Sequence, residues 1–175
     1  MLRYKTYLVG AIQDAPDNGI PWREKIAKSL EEFGFVVANP CKMECNHSLA
    51  TNIEDQKEKL GNLKRGGEWA KWDMVMSDIR RSDLVCVNDS KFIIFLYDPT
   101  RRYGGSIHEL VEAWQKGIPV YTVSYHPQLE FNDWVLALLR DNFKHGGKIF
   151  PNYKQLMDFL ATEYKEHIRK FGTNP

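Results

Sequence analysis

Asp83-Leu84-Val85-Cys86-Val87-Asn88-Asp89-Ser90-Lys91-Phe92-Ile93-Ile94-Phe95-Leu96-Tyr97 is the stretch on which the fold turns. Its second half is a continuous apolar run of strand length, the pattern of a strand buried on both faces. The first half reads in two ways. Leu84 to Val87 is β-prone and could pair back through an Asn88-Asp89 turn as a hairpin. The alternative is one long helix from about Glu68 to Ser90, with Trp72, Val75, Met76, Ile79, Cys86 and Val87 on or near one face. The helix is preferred, because every other strand is fed by a helix and a hairpin would interrupt that alternation. Asp83 then lies in line with Ile79 and Val87, on a face otherwise apolar.

Upstream, Tyr4 to Val9 reads as a first strand closed by Gly10-Ala11, and Gln13 to Gly19 is too rich in turn formers to be regular. Trp22 to Phe33 has helical spacing and stops at Gly34, before a second strand, Phe35 to Ala38. Residues 41–67 read as a variable excursion, partly helical over Ile53 to Leu60, able to fold over a site at the strand ends. Downstream, a helix runs from Gly104 to about Gly117. Ile118 to Val123 is a strand, Leu129 to Phe143 a helix, Lys148 to Phe150 a short strand, and Tyr153 to Phe171 one amphipathic helix. The order predicts a single α/β domain over residues 1–175. Its architecture is a three-layer, doubly wound, flavodoxin- or Rossmann-like fold, a five-stranded parallel sheet with helices on both faces and ligands at the carboxyl ends of the strands.

The 175 residues, 43% of them hydrophobic, suffice for one packed core and fall short of two. Twenty-four Lys and Arg against 23 Asp and Glu create no field that would recruit a nucleic acid polymer or an anionic membrane. A small molecule or a second copy of the chain is the expected partner. No signal pattern precedes the first strand, no apolar run approaches the roughly 18 residues of a spanning helix, and three cysteines form no disulfide framework. A soluble, cytoplasmic protein is expected.

The chemistry gathers after the central strand. Gly104-Gly105-Ser106 lets the backbone approach a ligand and opens a helix whose first amides point at it. Glu109 is expected in the first turn of that helix, with Asp83 near the end of the preceding one. Two carboxylates close together in a partly dry pocket suit one as nucleophile and the other as proton donor. At about 5 Å they would favour a retaining displacement at an anomeric carbon. Glu109 also reads as a helix-dipole partner, and Asp83 as an exposed residue pairing with Arg80. Gln13, Asp14, Asp17, Asn18, Trp22 and Arg23 could hold sugar hydroxyls or a base edge, with Trp22 stacking, or simply cap the helix. Arg101 and Arg102 beside Ser106 could bind a phosphate or form a solvated loop tip. Cys41, Cys45 and His47 lack a fourth ligand at metal spacing, and there is no P-loop or dinucleotide fingerprint. Neither a metal nor a cofactor is expected.

Taken together, Tyr7-Leu-Val-Gly10-Ala11, Asp83-Leu84, the strand Phe92 to Tyr97, the glycine loop, Glu109-Leu110 and Lys116-Gly117-Ile-Pro119-Val120 resemble the nucleoside 2-deoxyribosyltransferase family. The relatives include the 2'-deoxynucleoside 5'-monophosphate N-glycosidases, and the resemblance spans most of the domain. It implies that Glu109 attacks C1' of a deoxyribose, giving a glycosyl-enzyme that a free nucleobase or water resolves. It implies that Asp83 positions the sugar and assists proton transfer, and that Tyr7 and Gly10-Ala11 form wall and floor around a nucleoside or nucleotide. A homo-oligomer, dimer or larger, is implied too, with sites near subunit interfaces and Asn132 in the region that completes a neighbour's site. Two departures stand out. Tyr103 occupies the position six before Glu109 where relatives carry aspartate or a phosphate-binding serine, an aspartate standing instead at Asp98, and Ile107-His108 replaces the usual small residue before the Glu-Leu pair. They bear on base handling and on the choice between nucleoside and monophosphate. The functional expectation is deoxyribosyl transfer, with monophosphate N-glycosidase or a non-catalytic nucleotide sensor as alternatives.

Overall fold

The computed structural model describes residues 2–42 and 52–173. Strands β1 (Lys5–Gly10), β2 (Val36–Ala38), β3 (Phe92–Leu96), β4 (Val120–Val123) and β5 (Lys148–Phe150) form one sheet in the order β2-β1-β3-β4-β5. Every pairing is parallel, and β1 meets β3 from Thr6 opposite Phe92 to Gly10 opposite Leu96. The helices are α1 (Ile20–Glu32), α2 (Ile53–Arg65), α3 (Trp69–Asn88), α4 (Gly104–Gln115), α5 (Asp133–Asp141), α6 (Tyr153–Glu163) and α7 (Lys165–Phe171). The sequence from Trp69 to Asn88 is therefore helical and not a hairpin, as the alternation argument required.

Period-two alternation along the strands separates two cores. Tyr7, Val9, Ile93 and Phe95 point to the side of Val87 on α3, Leu110 on α4 and Leu139 on α5. Leu8, Phe92 and Ile94 point to the other side, with Ile26 and Leu30 of α1 and Leu156 and Leu160 of α6. Because β3 is covered on both faces, Phe92 through Phe95 have no solvent exposure, which explains its unbroken apolar run. The chain steps outward from β1 to β2 and then back across to β3. The carboxyl ends of β1 and β3 are thus the point at which strand order reverses, where open α/β sheets leave a crevice.

Three elements differ from the sequence expectations. The helix expected from Leu129 to Phe143 is a 3-10 turn at Gln128–Glu130, then α5, then a 3-10 turn at Asn142–His145. Asn132 starts α5 by accepting the amides of Trp134 and Val135 on Oδ1. Asn142 ends it by turning inward, accepting the Val120 amide and donating to the Ile118 carbonyl. The terminal helix is broken at Tyr164, whose hydroxyl lies 3.0 Å from that of Tyr121. Past the break, α7 brings His167 into a stack with Phe35 and Tyr4 and passes so close over Gly34 that a Cβ there would lie 2.4 Å from the Phe171 carbonyl carbon. Lastly, the excursion is helical to Arg65, further than Leu60. Among the described residues no helix is long and apolar enough to cross a membrane.

Candidate active site

Tyr7 is the hinge of the site. It sits in the middle of β1 with no solvent exposure, and its phenol donates to Glu109 Oε1 at 2.9 Å, 102 residues away in sequence. The Asp83 carboxylate reaches the same phenol from α3, the helix packed beside α4. Burial, then the charge of Glu109, then that of Asp83 push the Tyr7 hydroxyl well above its ordinary value. It is therefore a permanent donor at any working pH. Two half-buried carboxylates from adjacent helices thus converge over one strand, held by a neutral hydrogen-bond donor.

Glu109 is the sixth residue of α4, not in its first turn. Interaction with a helix dipole fades within the first turn. The dipole reading of Glu109 therefore loses its physical basis, while the pairing with Tyr7 stands. Gly104 and Gly105 are the first two residues of the helix, and a Cβ on either would meet nothing within 4 Å. Among the described residues, none occupies the space above them. Gly105→Ala should therefore stabilise the fold by up to about 1 kcal/mol through helix propensity. If the space belongs to a ligand, turnover falls nonetheless; thermal unfolding and substrate assays on one preparation check both halves.

A cleft of about 330 Å³ opens at the carboxyl ends of β1 and β3, lined among others by Ala11, Gly19, Trp22, Asp98, Arg101 and Tyr103. Six residues singled out from sequence, Ala11, Asp17, Trp22, Asp98, Arg101 and Tyr103, meet here. Asp98 is heavily engaged: Oδ1 accepts the Thr100 amide at 2.9 Å and hydroxyl at 2.6 Å, while Arg101 Nε lies 3.3 Å from Oδ2 and His126 Nε2 3.6 Å from Oδ1. Burial pulls its pKa upward, but these donors together outweigh burial and hold it below the ordinary 3.8. The Asp98 amide donates to the Tyr103 hydroxyl at 2.7 Å, and burial pushes that phenol up to about 12.

A depressed carboxylate contributes stability that is complete above its unfolded pKa and lost as pH falls through its lower folded pKa. Wild type should therefore exceed Asp98→Asn in stability at neutral pH. The difference should shrink only below about pH 4, the unfolded value. Urea midpoints of both proteins across that range test it.

Other residues named from sequence have structural employment. The Gly10 carbonyl accepts from both Arg23 Nη2 at 2.8 Å and the buried Ser106 hydroxyl at 3.3 Å. A Cβ at Gly10 would lie 2.8 Å from a ring carbon of Trp22, so the glycine lets the indole cross β1. Gln13 is exposed, and its carbonyl accepts from Lys57 of α2, which also reaches Ile12 and Asn18. The excursion thus braces the β1–α1 loop. Arg101 also donates to the Asp14 carbonyl at 2.9 Å, whereas Arg102 is exposed. Asn132, besides capping α5, donates its amide to the Tyr97 hydroxyl at 3.1 Å. Cys45 and His47, weighed as metal ligands, lie outside the described residues.

No family model and no curated protein matches the chain. Among solved structures, it is similar to a conserved protein from Enterococcus faecalis, at a TM-score of 0.62 and 15% identity, over 93% of this chain and 99% of that one. At that identity the likeness establishes the fold alone.

Arg23 is what sequence reasoning misjudged. The sequence leaves it between a ligand contact and helix capping, yet it has no exposure and donates to the carbonyls of Leu8, Gly10, Ala11 and Gly19 at 2.8–3.5 Å. Its guanidinium carbon sits 4.5 Å from the centre of the Trp22 ring. The fork of five donors ties strand end, loop and helix start together and so sets the cleft's floor. A signal was present: Arg23 shares a helical stripe with Ile26, Ala27 and Leu30, a face on which a charge must be buried and paired.

Proposed function

We propose that the protein is a cytoplasmic, homo-oligomeric nucleoside 2-deoxyribosyltransferase that cleaves the N-glycosidic bond of a 2'-deoxynucleoside through a covalent intermediate on Glu109. The observation that carries this reading is the Tyr7–Glu109 hydrogen bond with Asp83 at the same phenol. A nucleophilic carboxylate needs a fixed orientation and a second group to manage the leaving base's proton. Tyr7 supplies the first without taking the charge, because its own proton is held far above working pH.

In the forward step a Glu109 oxygen bonds to C1' as the C1'–N bond breaks, its electron pair leaving with the base. Asp83, when protonated, hands its proton to that nitrogen. In the return step the nitrogen of a second base displaces the Glu109 ester, and Asp83 takes the proton back, so the sugar keeps its configuration after two displacements. The cleft beside Trp22 offers an indole face for the planar base, with Tyr103 and Arg101 as donors toward its edge.

Incubation with deoxyinosine and free adenine, followed by chromatography, tests the reading; new deoxyadenosine is expected. Free base plus deoxyribose 5-phosphate from a deoxynucleoside monophosphate would transfer the chemistry to the hydrolase alternative. Absence of product from either substrate, with wild type indistinguishable from Glu109→Ala, would leave only a non-catalytic binding role.

A further inference from the structure

Asp98 anchors two hydrogen-bond donors in the cleft beside Trp22. Its backbone amide donates to the Tyr103 hydroxyl at 2.7 Å, and its Oδ2 receives Arg101 Nε at 3.3 Å. The Tyr103 oxygen acts as acceptor in that bond, so its own proton stays available, and it meets no acceptor among the described residues. Arg101 Nη1 is turned to the Asp14 carbonyl at 2.9 Å, whereas Nη2 has no partner among the described residues. Both side chains line the cleft, which therefore offers an occupant one phenol proton and one guanidinium nitrogen.

The charge balance sets the kind of occupant. Asp17, Asp98 and Arg101 are the charged residues of the lining, two carboxylates against one guanidinium, and Asp98 lies against that guanidinium. A phosphate or carboxylate entering here meets no net positive field. The pair of donors suits an uncharged ring whose edge carries acceptors. Purines divide on this point. A 6-oxopurine presents two adjacent acceptors, O6 and N7, while a 6-aminopurine presents N7 beside an amino donor. Against Arg101 and Tyr103 the oxo base satisfies both donors. The amino base turns an N–H toward one of them and leaves it desolvated and unpaired. A 4-oxopyrimidine carries carbon where the second acceptor would stand. The cleft, at about 330 Å³, has room for a two-ring base.

We infer that this cleft is specific for 6-oxopurines, with Tyr103 Oη and Arg101 Nη2 donating to the O6–N7 edge. The inference rests on the reading of the cleft as the base site of a deoxyribosyltransferase. It gives Tyr103, the position at which the chain departs from the family it resembles, the task of choosing the base.

Equilibrium dialysis of the full chain with free hypoxanthine and free adenine tests the inference, because neither base carries a sugar and nothing reacts. Hypoxanthine should bind about ten-fold more tightly than adenine, the discrimination of one good two-point base contact. Tyr103→Phe keeps the ring against Phe95 and Tyr97 and removes the proton, and Arg101→Met removes the guanidinium. Each should weaken hypoxanthine more than adenine and so shrink the ratio, whereas a merely structural role would weaken both bases alike. Circular dichroism checks each fold; should one variant not fold, the other carries the test. Equal affinities, a preference for adenine, no binding of either base, or a ratio unmoved in the folded variants would overturn the inference. So would displacement of hypoxanthine by inorganic phosphate, the mark of an anion site. Adenine still serves as acceptor in the transfer assay, at a higher KM. Transfer without the binding preference would sink the inference and leave the reaction standing; the preference without any transfer would do the reverse.

Discussion

Glu109→Ala is expected to lower kcat by about four orders of magnitude while leaving the fold intact, and to eliminate any covalent deoxyribosyl adduct seen by mass spectrometry of substrate-treated protein. The size follows from the proposed roles: removing a nucleophile would leave only positioning, whereas removing a proton-transfer partner would leave the displacement available by a slower path. Asp83→Asn should accordingly slow turnover by roughly 10²- to 10⁴-fold, the usual contribution of general acid–base catalysis, with binding little changed. Glu109 is half-buried and accepts from Tyr7, so its loss also leaves one buried phenol to Asp83 alone. That costs some stability, which makes the adduct the sharper readout. An adduct that persisted in Glu109→Ala, or mapped to another residue in wild type, would end the assignment.

Arg23→Met should produce the largest loss of stability of any single change near the site, about 4 kcal/mol or more. Four carbonyls receive the guanidinium, and each buried acceptor left without a partner costs roughly 1–3 kcal/mol. The Gly10 carbonyl keeps its bond from Ser106, and the Gly19 carbonyl, at the N-cap of α1, keeps the first intrahelical bond, which limits the total. Against a domain stability of roughly 5–15 kcal/mol this leaves a marginal protein, visible as a lower urea midpoint at unchanged slope. Arg23→Lys should recover little. One ammonium is a point donor and cannot span acceptors on β1, the following loop and the start of α1. A lysine variant as stable as wild type would show that charge alone, and not the fork, holds the loop.

The two expectations draw on different kinds of information. Asp83 stands out in the sequence as a carboxylate in line with Ile79 and Val87 on an otherwise apolar helical face, and Glu109 as a carboxylate behind the glycine loop that follows the central strand. Their meeting point does not stand out there. Tyr7 lies on β1, and only the parallel pairing of β1 with β3 and the packing of α3 beside α4 bring its hydroxyl beneath both acids. Asp98 was likewise visible as an unexpected acid at a strand end. Its partner His126 comes from the loop after β4, and the ring is also 3.0 Å from Glu130. No local pattern links residues that separate loops bring together. Asn132 shows the reverse case, since its capping of α5 is a local signal, and the break before it was overlooked within a longer apolar periodicity.

What the sequence determined by itself is the succession of elements. Local periodicity and the unbroken apolar run from Phe92 to Tyr97 require a doubly covered strand, and a helix from Trp69 to Asn88 feeds it. Tertiary structure decided which polar groups remain available for chemistry. It engaged Arg23, Ser106 and the Asn132 side chain in backbone bonds, and gathered Glu109 and Asp83 at the Tyr7 hydroxyl. The reason is that secondary structure follows from neighbours within a turn or two of chain, whereas satisfaction of a buried polar group depends on atoms that folding alone brings within 3 Å.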